Sequence, residues 1–377
     1  MAASSPKLPI KKQVDLSAIK ASEQLFHSSL SGSLSILRTN PPIYLSFMST
    51  LTTTLYPLRF ESIYKEKLWG GQKIRTVLGK DFGDLNNCGE TWEISGVKGN
   101  LSVVSEGPLA GKDLRALIQE YQGALVGEKI YASYGDEFPL LIKFIDANDD
   151  LSIQVHPDDE LAQIRHDSKG KTEMWYIIQA DEGSTLISGF NQPVDRKTYQ
   201  STFEAGNLMD ILNREEVENG DVFFLPAGRV HTIGKGLLLA EIQQTSDVTY
   251  RIYDFDRTDA QGNKRELHVE EALDAIDYNH YEEYKTSYED HPNSLVNLVK
   301  CEYFTTNKVV SEEVIKRNYQ DLDSFVVYVC VGGSLEIRFE DGINQLKMGE
   351  ALLLPATLKE VELRPDPAFT LLEAYIA

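Results

Sequence analysis

The chain has 377 residues, of which 42% are hydrophobic and 25% are charged, and its formal net charge at pH 7 is −21. This composition is typical of a soluble globular protein, and no apolar run approaches the roughly 20 residues that a transmembrane helix needs, so we expect no membrane partner. The negative charge argues against nucleic acid as a partner, because phosphate binding needs clustered Lys and Arg, and it requires that any anionic ligand be held by local cations.

The first 47 residues differ from the rest of the chain. They are rich in Ser and poor in acidic residues, and they lack the basic start, apolar core and small-residue cleavage site of a secretory signal. We therefore predict that residues 1–47 are an extension outside the fold and disordered. An organelle-targeting peptide is the alternative. The compact protein is predicted to start near Met48.

From Leu55 onward the dominant pattern is short apolar strands bounded by Gly, Asn and Asp, which predicts an all-β barrel or sandwich. Four segments have helical patterns instead. They are residues 111–135, 158–167, 196–213 and 268–276. The sequence thus predicts helices that decorate a β core.

Two distant parts of the chain resemble each other. Residues 173–190 and 217–244 are echoed by residues 325–342 and 346–376, and each copy ends an apolar strand with Leu-Pro-Ala. A repeat of this size predicts two copies of one barrel unit. We place the first unit, with the helical insertions, at residues 48–290 and the second at residues 291–377.

The second copy lacks the polar residues of the first. Aligning the two Leu-Pro-Ala motifs places His231 opposite Glu360. Aligning Tyr176 with Tyr328 would place Glu173 opposite Phe325 in the same way. The second unit is therefore predicted to be degenerate, without metal ligands and structural in role.

A short strand carries the first candidate site residues. In "LSIQVH", residues 151–156, the apolar residues alternate with Ser152, Gln154 and His156. Side chains two residues apart on a strand emerge from the same face, so these three polar side chains share one face.

Two more candidates lie at strand starts, Glu173 in "GKTEMWYI" and His231 in "LPAGRVHTIG". Together with Gln154 and His156 they form a mixed nitrogen and oxygen set that suits zinc or another divalent first-row metal. The alternative is that the histidines are ordinary core or surface residues. The matching positions of Glu173 and His231 in the repeat favour the metal site.

Several ordered stretches resemble the type I mannose-6-phosphate isomerases of the cupin superfamily, especially the shorter, bacterial-type members. The stretches are residues 139–162, 170–178, 223–234 and 241–257. The similarity runs from about Leu55 to the C-terminus. It implies a mainly β fold with two cupin-like β-barrels (jelly rolls) and inserted helices. It also implies one zinc ion per chain, held by the residues that match the family's ligands, namely Gln154, His156, Glu173 and His231.

The resemblance further implies an active site with cationic and polar residues. Lys171 lies two residues before Glu173 and shares its strand face, Arg251 matches the family's active-site arginine, and Ser152 stands where the family has a phosphate-contacting serine. Ordinary surface ion pairs are the alternative for Lys171 and Arg251. Lys143 is expected either to bind substrate in the cavity or to pair with Asp146.

The implied reaction interconverts mannose 6-phosphate and fructose 6-phosphate through an enediol, so a base must move a proton between C1 and C2. Glu241 is the candidate base because it precedes Arg251 by ten residues, as a proposed base does in the family. We expect burial to raise the pKa of Glu241. The alternative is a structural carboxylate that pairs with Arg251 or Lys171.

Other readings of the sequence remain open. The chain could isomerise glucose 6-phosphate or oxidise a small substrate with iron, or it could be a non-enzymatic sugar-binding cupin. We expect Trp69 and Trp92 to pack in the core or at the barrel edge, and His166 and His268 to be surface residues. The three cysteines form no CxxC pattern, which predicts a reducing compartment, the cytoplasm. A monomer or a homodimer is expected.

Overall fold

The computed structural model describes residues 54–259 and 261–377. The predictions for residues 1–47 lie outside the described residues. Within the described part of the chain, no helix combines the length and the apolar character that crossing a membrane requires.

The first half of the described chain forms two packed β-sheets, called here the first barrel. Its strands are β1 Ile63–Lys65, β2 Glu90–Ser95, β3 Leu140–Ala147, β4 Ile153–Val155, β5 Glu173–Ala180, β6 Thr185–Phe190, β7 Leu212–Glu216, β8 Val222–Leu225, β9 His231–Thr232, β10 Leu237–Gln244 and β11 Tyr250–Tyr253. One sheet has the order β1-β2-β3-β10-β5-β8 and the other has the order β11-β4-β9-β6-β7. Side chains from both sheets fill the space between them.

The second barrel is one seven-stranded sheet. Its strands are β12 Leu295–Lys300, β13 Thr305–Ser311, β14 Ile315–Asn318, β15 Val326–Phe339, β16 Gly342–Lys347, β17 Ala351–Leu354 and β18 Glu360–Tyr375. The long strands β15 and β18 pair with each other and also with short strands, which folds the sheet around its own apolar core. The prediction of a mainly β fold is confirmed.

The two barrels share an apolar core. Strand β10 shows how, because successive residues of a strand face opposite sides. Leu237 and Leu239 point into the first barrel, whereas Leu238 and Ile242 join a larger cluster that includes Val327 of the second barrel. Burial of both faces explains the nearly unbroken apolar run of this strand.

Helices lie where three of the four helical patterns predict them. The α-helices of the described residues are α1 Lys73–Thr76, α2 Leu114–Tyr121, α3 Gly123–Val126, α4 Glu128–Tyr134, α5 Asp159–His166, α6 Arg196–Glu204 and α7 Val269–Ala275, of which α1 lies outside the predicted segments. The segment 111–135 forms three short helices because Gln122 and Gly127 have positive φ angles of 49° and 103°. Asp113 caps the first of them by accepting a hydrogen bond from the backbone N–H of Ala116.

The helix predicted for residues 196–213 is wrong in its second half. Helix α6 ends at Glu204, Gly206 follows with a φ of 76°, and residues from Leu212 onward form β7 instead. A left-handed backbone suits glycine and stops a helix. The pairing of β7 with β6 then places Leu212 in the core of the first barrel.

Strand pairing corrects the alignment of the repeat by one residue. Trp175 pairs with Phe223, and Tyr328 pairs with Leu352. Phe223 and Leu352 occupy the same position relative to their Leu-Pro-Ala motifs. The residue that corresponds to Tyr328 is therefore Trp175, and the predicted match with Tyr176 is wrong.

The corrected alignment changes the partner of the acidic candidate ligand. Glu173 corresponds to Val326, a buried residue, and Phe325 lies one position away. A slip of one residue moves every side chain of a strand to its other face. Tyr176 and Tyr328 are identical residues, but they lie on opposite faces of their equivalent strands. The position opposite His231 is Glu360, which is exposed.

Candidate metal centre

Three ligand-type side chains from different strands meet inside the first barrel. His156 directly follows β4, Glu173 begins β5, and His231 begins β9. The Nε2 atom of His156 lies 3.6 Å from Oε2 of Glu173, and Nε2 of His231 lies 3.3 Å from Oε1. The donor atoms of these three residues all lie within 4.8 Å of one another.

Backbone carbonyls orient the two imidazoles. Nδ1 of His156 lies 2.9 Å from the carbonyl oxygen of Val248, and Nδ1 of His231 lies 2.8 Å from that of Arg229. A carbonyl only accepts hydrogen bonds, so Nδ1 carries the proton and the lone pair of Nε2 faces Glu173. This is the usual second contact of a metal-bound histidine.

Both imidazoles are neutral. Burial first, and Lys171 second, lower the pKa of His231 to about 3. The same two causes hold the pKa of His156 well below its usual range. A neutral imidazole is the form that binds a metal.

The carboxylate of Glu173 completes the fit to a cation. Both of its oxygens are buried and neither accepts a hydrogen bond of good geometry from the described residues. Burial, followed by the nearby Glu241, raises the pKa of Glu173. Two imidazole nitrogens with free lone pairs and a carboxylate form a mixed donor set that fits a divalent metal such as zinc.

Gln154 lies beside this cluster. It pairs in register with His231, and its Nε2 is 3.2 Å from Nε2 of that imidazole. The amide N–H donates to the unprotonated Nε2 of His231. Rotation of the amide by 180° would instead bring its oxygen, the atom that can bind a cation, to this position.

Lys171 is the cation closest to the cluster. Its Nζ lies 2.8 Å from Oε2 of Glu173 and 2.9 Å from Nε2 of His156, and the residue is only 5% exposed. A surface ion pair would be solvated, so the surface alternative for Lys171 is wrong.

Arg251 and Ser152 flank Gln154, Arg251 on the paired strand β11 and Ser152 two residues earlier in the chain. Arg251 pairs in register with Gln154, which places both side chains on one face of the sheet. The Nη1 atom of Arg251 donates to the carbonyl of Glu266 at 2.9 Å, while its Nε is buried without a hydrogen-bond partner among the described residues. Ser152 is also buried.

Lys143 points into the first barrel. Its Nζ lies 2.9 Å from Oε1 of Glu241 and 4.0 Å from Oε2 of Glu90. Asp146 lies three residues further along β3, on the opposite face, and accepts a hydrogen bond from the backbone N–H of Lys73. Of the two alternatives for Lys143, pairing with Asp146 is therefore wrong.

The expected rise in the pKa of Glu241 is wrong. Burial favours a rise, but Lys143 and Lys171 outweigh it and lower the pKa of this carboxyl group. Its partners also differ from the predicted Arg251 or Lys171, because Glu241 pairs with Lys143 and accepts a hydrogen bond from Nε1 of Trp175 at 2.8 Å.

Sequence reasoning missed two polar contacts of the site. Glu90 is buried beside Lys143, and Trp92 donates to it at 2.7 Å. The alternation in "CGETWEIS" places Glu90 and Trp92 on one strand face and could have shown this. Trp175 packs edge-on against His231, with ring centroids 5.4 Å apart. No sequence pattern distinguished its indole from ordinary core.

The predictions for two tryptophans and for the two remaining candidate surface histidines have different outcomes. Trp69 and Trp92 are buried as predicted. His166 is exposed, and its Nε2 lies 2.8 Å from the hydroxyl of Tyr250. His268 is only half-exposed, and its Nδ1 accepts a hydrogen bond from the backbone N–H of Arg251. The prediction of a plain surface residue is therefore wrong for His268.

A cavity of about 800 Å³ is connected to the centre through one residue, Val248, and the proposed ligands themselves do not line it. Its walls include Gly96, directly after β2, and residues 245–248, directly after β10. One of its lining residues, Val248, supplies the carbonyl that orients His156. This volume lies in the range of small-molecule sites.

Comparison with known proteins decides the family. The protein-family model for the catalytic domain of type I phosphomannose isomerase matches residues 57–183. The family model for the cupin domain of mannose-6-phosphate isomerase matches residues 294–366. The probable mannose-6-phosphate isomerase GmuF of Bacillus subtilis is 36% identical over 81% of this chain and 95% of its own length. The mannose-6-phosphate isomerase of Streptococcus mutans is 36% identical over 82% of this chain and 96% of its own. The chain belongs to the type I phosphomannose isomerase family.

The fold agrees with this family. The crystal structure of the mannose 6-phosphate isomerase from Bacillus subtilis superposes with a TM-score of 0.77 at 33% identity, over 85% of this chain and 99% of that one. The predicted resemblance and the predicted cupin-like fold with inserted helices are thereby confirmed.

The pH dependence of the free energy of unfolding tests the ion pairs of the buried Glu90. Burial would raise the pKa of Glu90, but Lys143 and Lys67 outweigh it and hold the pKa at about 2, against 4.5 for an ordinary Glu. The unfolded chain therefore binds this proton at higher pH than the folded chain. Glu90 stabilises the fold above about pH 4.5, and this contribution is lost as the pH falls towards 2.

The effect can be measured by denaturant unfolding of wild type and Glu90→Gln in chelator. Between about pH 6 and about pH 3 we expect the free energy of unfolding of wild type to fall by about 2 kcal/mol more than that of the variant. Equal losses in both proteins would contradict the ion-pair assignment.

Proposed function

We propose that this protein is a metal-dependent aldose–ketose isomerase that interconverts mannose 6-phosphate and fructose 6-phosphate through an enediol. The observation that carries the proposal is the convergence of His156, Glu173 and His231 with Lys171 inside the first barrel. The names of the similar proteins from Bacillus subtilis and Streptococcus mutans support this substrate pair.

We propose zinc as the metal, with one ion per chain held by Gln154, His156, Glu173 and His231. The mixed donor set supports zinc over metals that need all-oxygen sites. When bound, zinc supplies a Lewis acid that polarises the sugar carbonyl and stabilises an enediolate. We assign the site to a catalytic domain of residues 48–290 and propose that residues 291–377 form a domain without metal ligands.

Local positive charge holds the anionic substrate. Lys171 and Arg251 are buried or half-buried cations on the faces that carry the proposed ligands. They can bind the sugar oxygens and the phosphate by charge-assisted hydrogen bonds, and Ser152 and Lys143 are proposed as further substrate contacts. These groups counter the net charge of −21, which otherwise repels a sugar phosphate.

Isomerisation also needs a base that moves a proton between C1 and C2. The candidate groups are the buried carboxylate of Glu241 and the ammonium of Lys171, which lies 2.8 Å from Oε2 of Glu173. Lys171 contacts two of the proposed ligands, Glu173 and His156.

The remaining proposals concern the surroundings of the enzyme. We propose a cytoplasmic protein, which the free thiols of Cys88, Cys301 and Cys330 support. Nucleic acid is not proposed as a partner because of the negative net charge. A monomer or a homodimer is proposed.

A coupled assay of the full chain tests the proposal. We expect fructose 6-phosphate to form from mannose 6-phosphate, chelation to abolish this activity, and added zinc to restore it. Zinc-loaded protein that converts glucose 6-phosphate but not mannose 6-phosphate would contradict the substrate assignment. Full activity after complete metal removal would contradict the metal assignment.

A further inference from the structure

Glu241 has two cross-strand neighbours inside the first barrel. It pairs in register with Lys143 on β3 and with Trp175 on β5. Residues opposite each other on paired strands point to the same face, and both neighbours contact the carboxylate. Oε1 lies 2.9 Å from Nζ of Lys143, and Oε2 accepts from Nε1 of Trp175 at 2.8 Å.

The second barrel has a carboxylate at the corresponding position. Glu373 on β18 pairs in register with Asn307 on β13 and with Tyr328 on β15, the counterpart of Trp175. Glu373 is fully buried and accepts hydrogen bonds from Asn307 at 3.2 Å and from Arg317 at 2.9 and 3.0 Å. The hydroxyl of Tyr319 contacts both Glu373 and Tyr328.

A metal site does not account for the burial of Glu373 in the second barrel. The counterpart of Glu173 is Val326, and within the described residues the cluster suited to a metal is that of the first barrel. Glu373 is nevertheless held by its neighbours. Both carboxylates link polar groups of the two adjacent strands: Glu241 contacts Lys143 and Trp175 directly, whereas Glu373 contacts Asn307 directly and reaches Tyr328 through the hydroxyl of Tyr319.

In the first barrel this bridge lies directly behind the metal centre. The indole that donates to Glu241 packs edge-on against the ring of His231 at a centroid distance of 5.4 Å. Oε2 of Glu241 accepts a hydrogen bond from Trp175, and Oε1 is ion-paired with Lys143, although Oε1 accepts no hydrogen bond of good geometry from the described residues. A carboxylate held on both sides in this way orients its neighbours, and taking up a proton from a substrate carbon would cost it the ion pair with Lys143.

We infer that Glu241 is a positioning residue, which fixes the indole of Trp175 behind the metal ligand His231, and that proton transfer falls to another group of the site. The inference rests on the proposed isomerase function. In metal sites generally, groups that contact the ligands tune the affinity for the metal. Here Trp175 contacts the proposed ligand His231, and Glu241 acts through Trp175.

The test compares Glu241→Gln with Glu373→Gln, its matched control in the second barrel. We expect zinc affinity to fall about 10- to 100-fold in Glu241→Gln, while turnover of the zinc-saturated variant stays within about tenfold of wild type with an unshifted pH profile. Glu373→Gln should lower the melting temperature and leave zinc affinity and turnover unchanged. Unchanged zinc affinity with a loss of saturated turnover of about 10²- to 10⁴-fold, the contribution of a general base, would overturn the inference.

A second variant covers the case in which Glu241→Gln does not fold. Trp175→Phe keeps an aromatic ring beside His231 but removes the N–H that binds Glu241. Lower zinc affinity in Trp175→Phe supports the inference, and wild-type zinc affinity overturns it. Zinc binding by wild-type protein that does not isomerise mannose 6-phosphate would instead contradict the proposed function, while the affinity comparison would still test the role of Glu241.

Discussion

Replacing Glu173 with glutamine should remove bound zinc and lower isomerase turnover by about 10³-fold or more. The carboxylate is the one anionic member of the candidate ligand set, and both of its oxygens are buried next to the two imidazoles. A neutral amide cannot balance the charge of a divalent cation there. The loss of a Lewis acid that stabilises the transition state by several kcal/mol corresponds to this change in rate. Metal content after dialysis and initial rates measure the two effects.

Glu93→Gln is the matched control for this substitution. Glu93 is also a buried carboxylate paired with a lysine, since Oε2 lies 2.9 Å from Nζ of Lys80, but it contacts none of the proposed ligands. We expect Glu93→Gln to lose stability and to keep zinc and turnover. A Glu173→Gln protein that retains zinc and full turnover would refute the ligand assignment.

Replacing Lys171 with methionine should lower turnover of the zinc-loaded enzyme by about 10²- to 10³-fold, the usual cost of removing one group that stabilises developing charge. The ammonium lies 2.8 Å from Glu173 and 2.9 Å from His156, which places it next to a substrate bound at the cluster. Methionine keeps the length of the side chain and removes its charge. Zinc affinity should not fall, because a cation that repels the metal is lost.

Lys308→Met controls for the loss of a buried lysine. Lys308 is 4% exposed and its Nζ lies 2.8 Å from Oδ1 of Asp290. It belongs to β13 of the second barrel, so its replacement should affect stability without affecting turnover. If Lys171→Met keeps turnover close to that of wild type, the catalytic role assigned to Lys171 is wrong.

Local patterns predicted the parts of the protein that depend on neighbours in the chain. The alternation over residues 151–156 was enough to place Gln154 and His156 on one strand face. Asp113 and Asp158 cap helices close to where the helical patterns begin. These features follow from the two-residue period of strands and from the unpaired N–H groups at helix starts.

Tertiary structure decided which polar groups meet. Gln154 and His231 are 77 residues apart in sequence and pair only through the register of β4 and β9. Glu241 was predicted to pair with Arg251 or Lys171, but the register of β10 places Lys143 and Trp175 beside it. The direction of its pKa shift follows from those neighbours, since burial alone would raise the value.

The sequence by itself determined the fold class through the periodicity within each strand, the family through its resemblance in several ordered motifs, and the candidate metal ligands through residue type. Only the tertiary structure decided the one-residue register of the repeat and the equivalence of Glu241 and Glu373. Register depends on hydrogen bonds between strands that are distant in the chain, and a shift of one residue leaves the pattern within each strand unchanged while it reverses the face of every side chain.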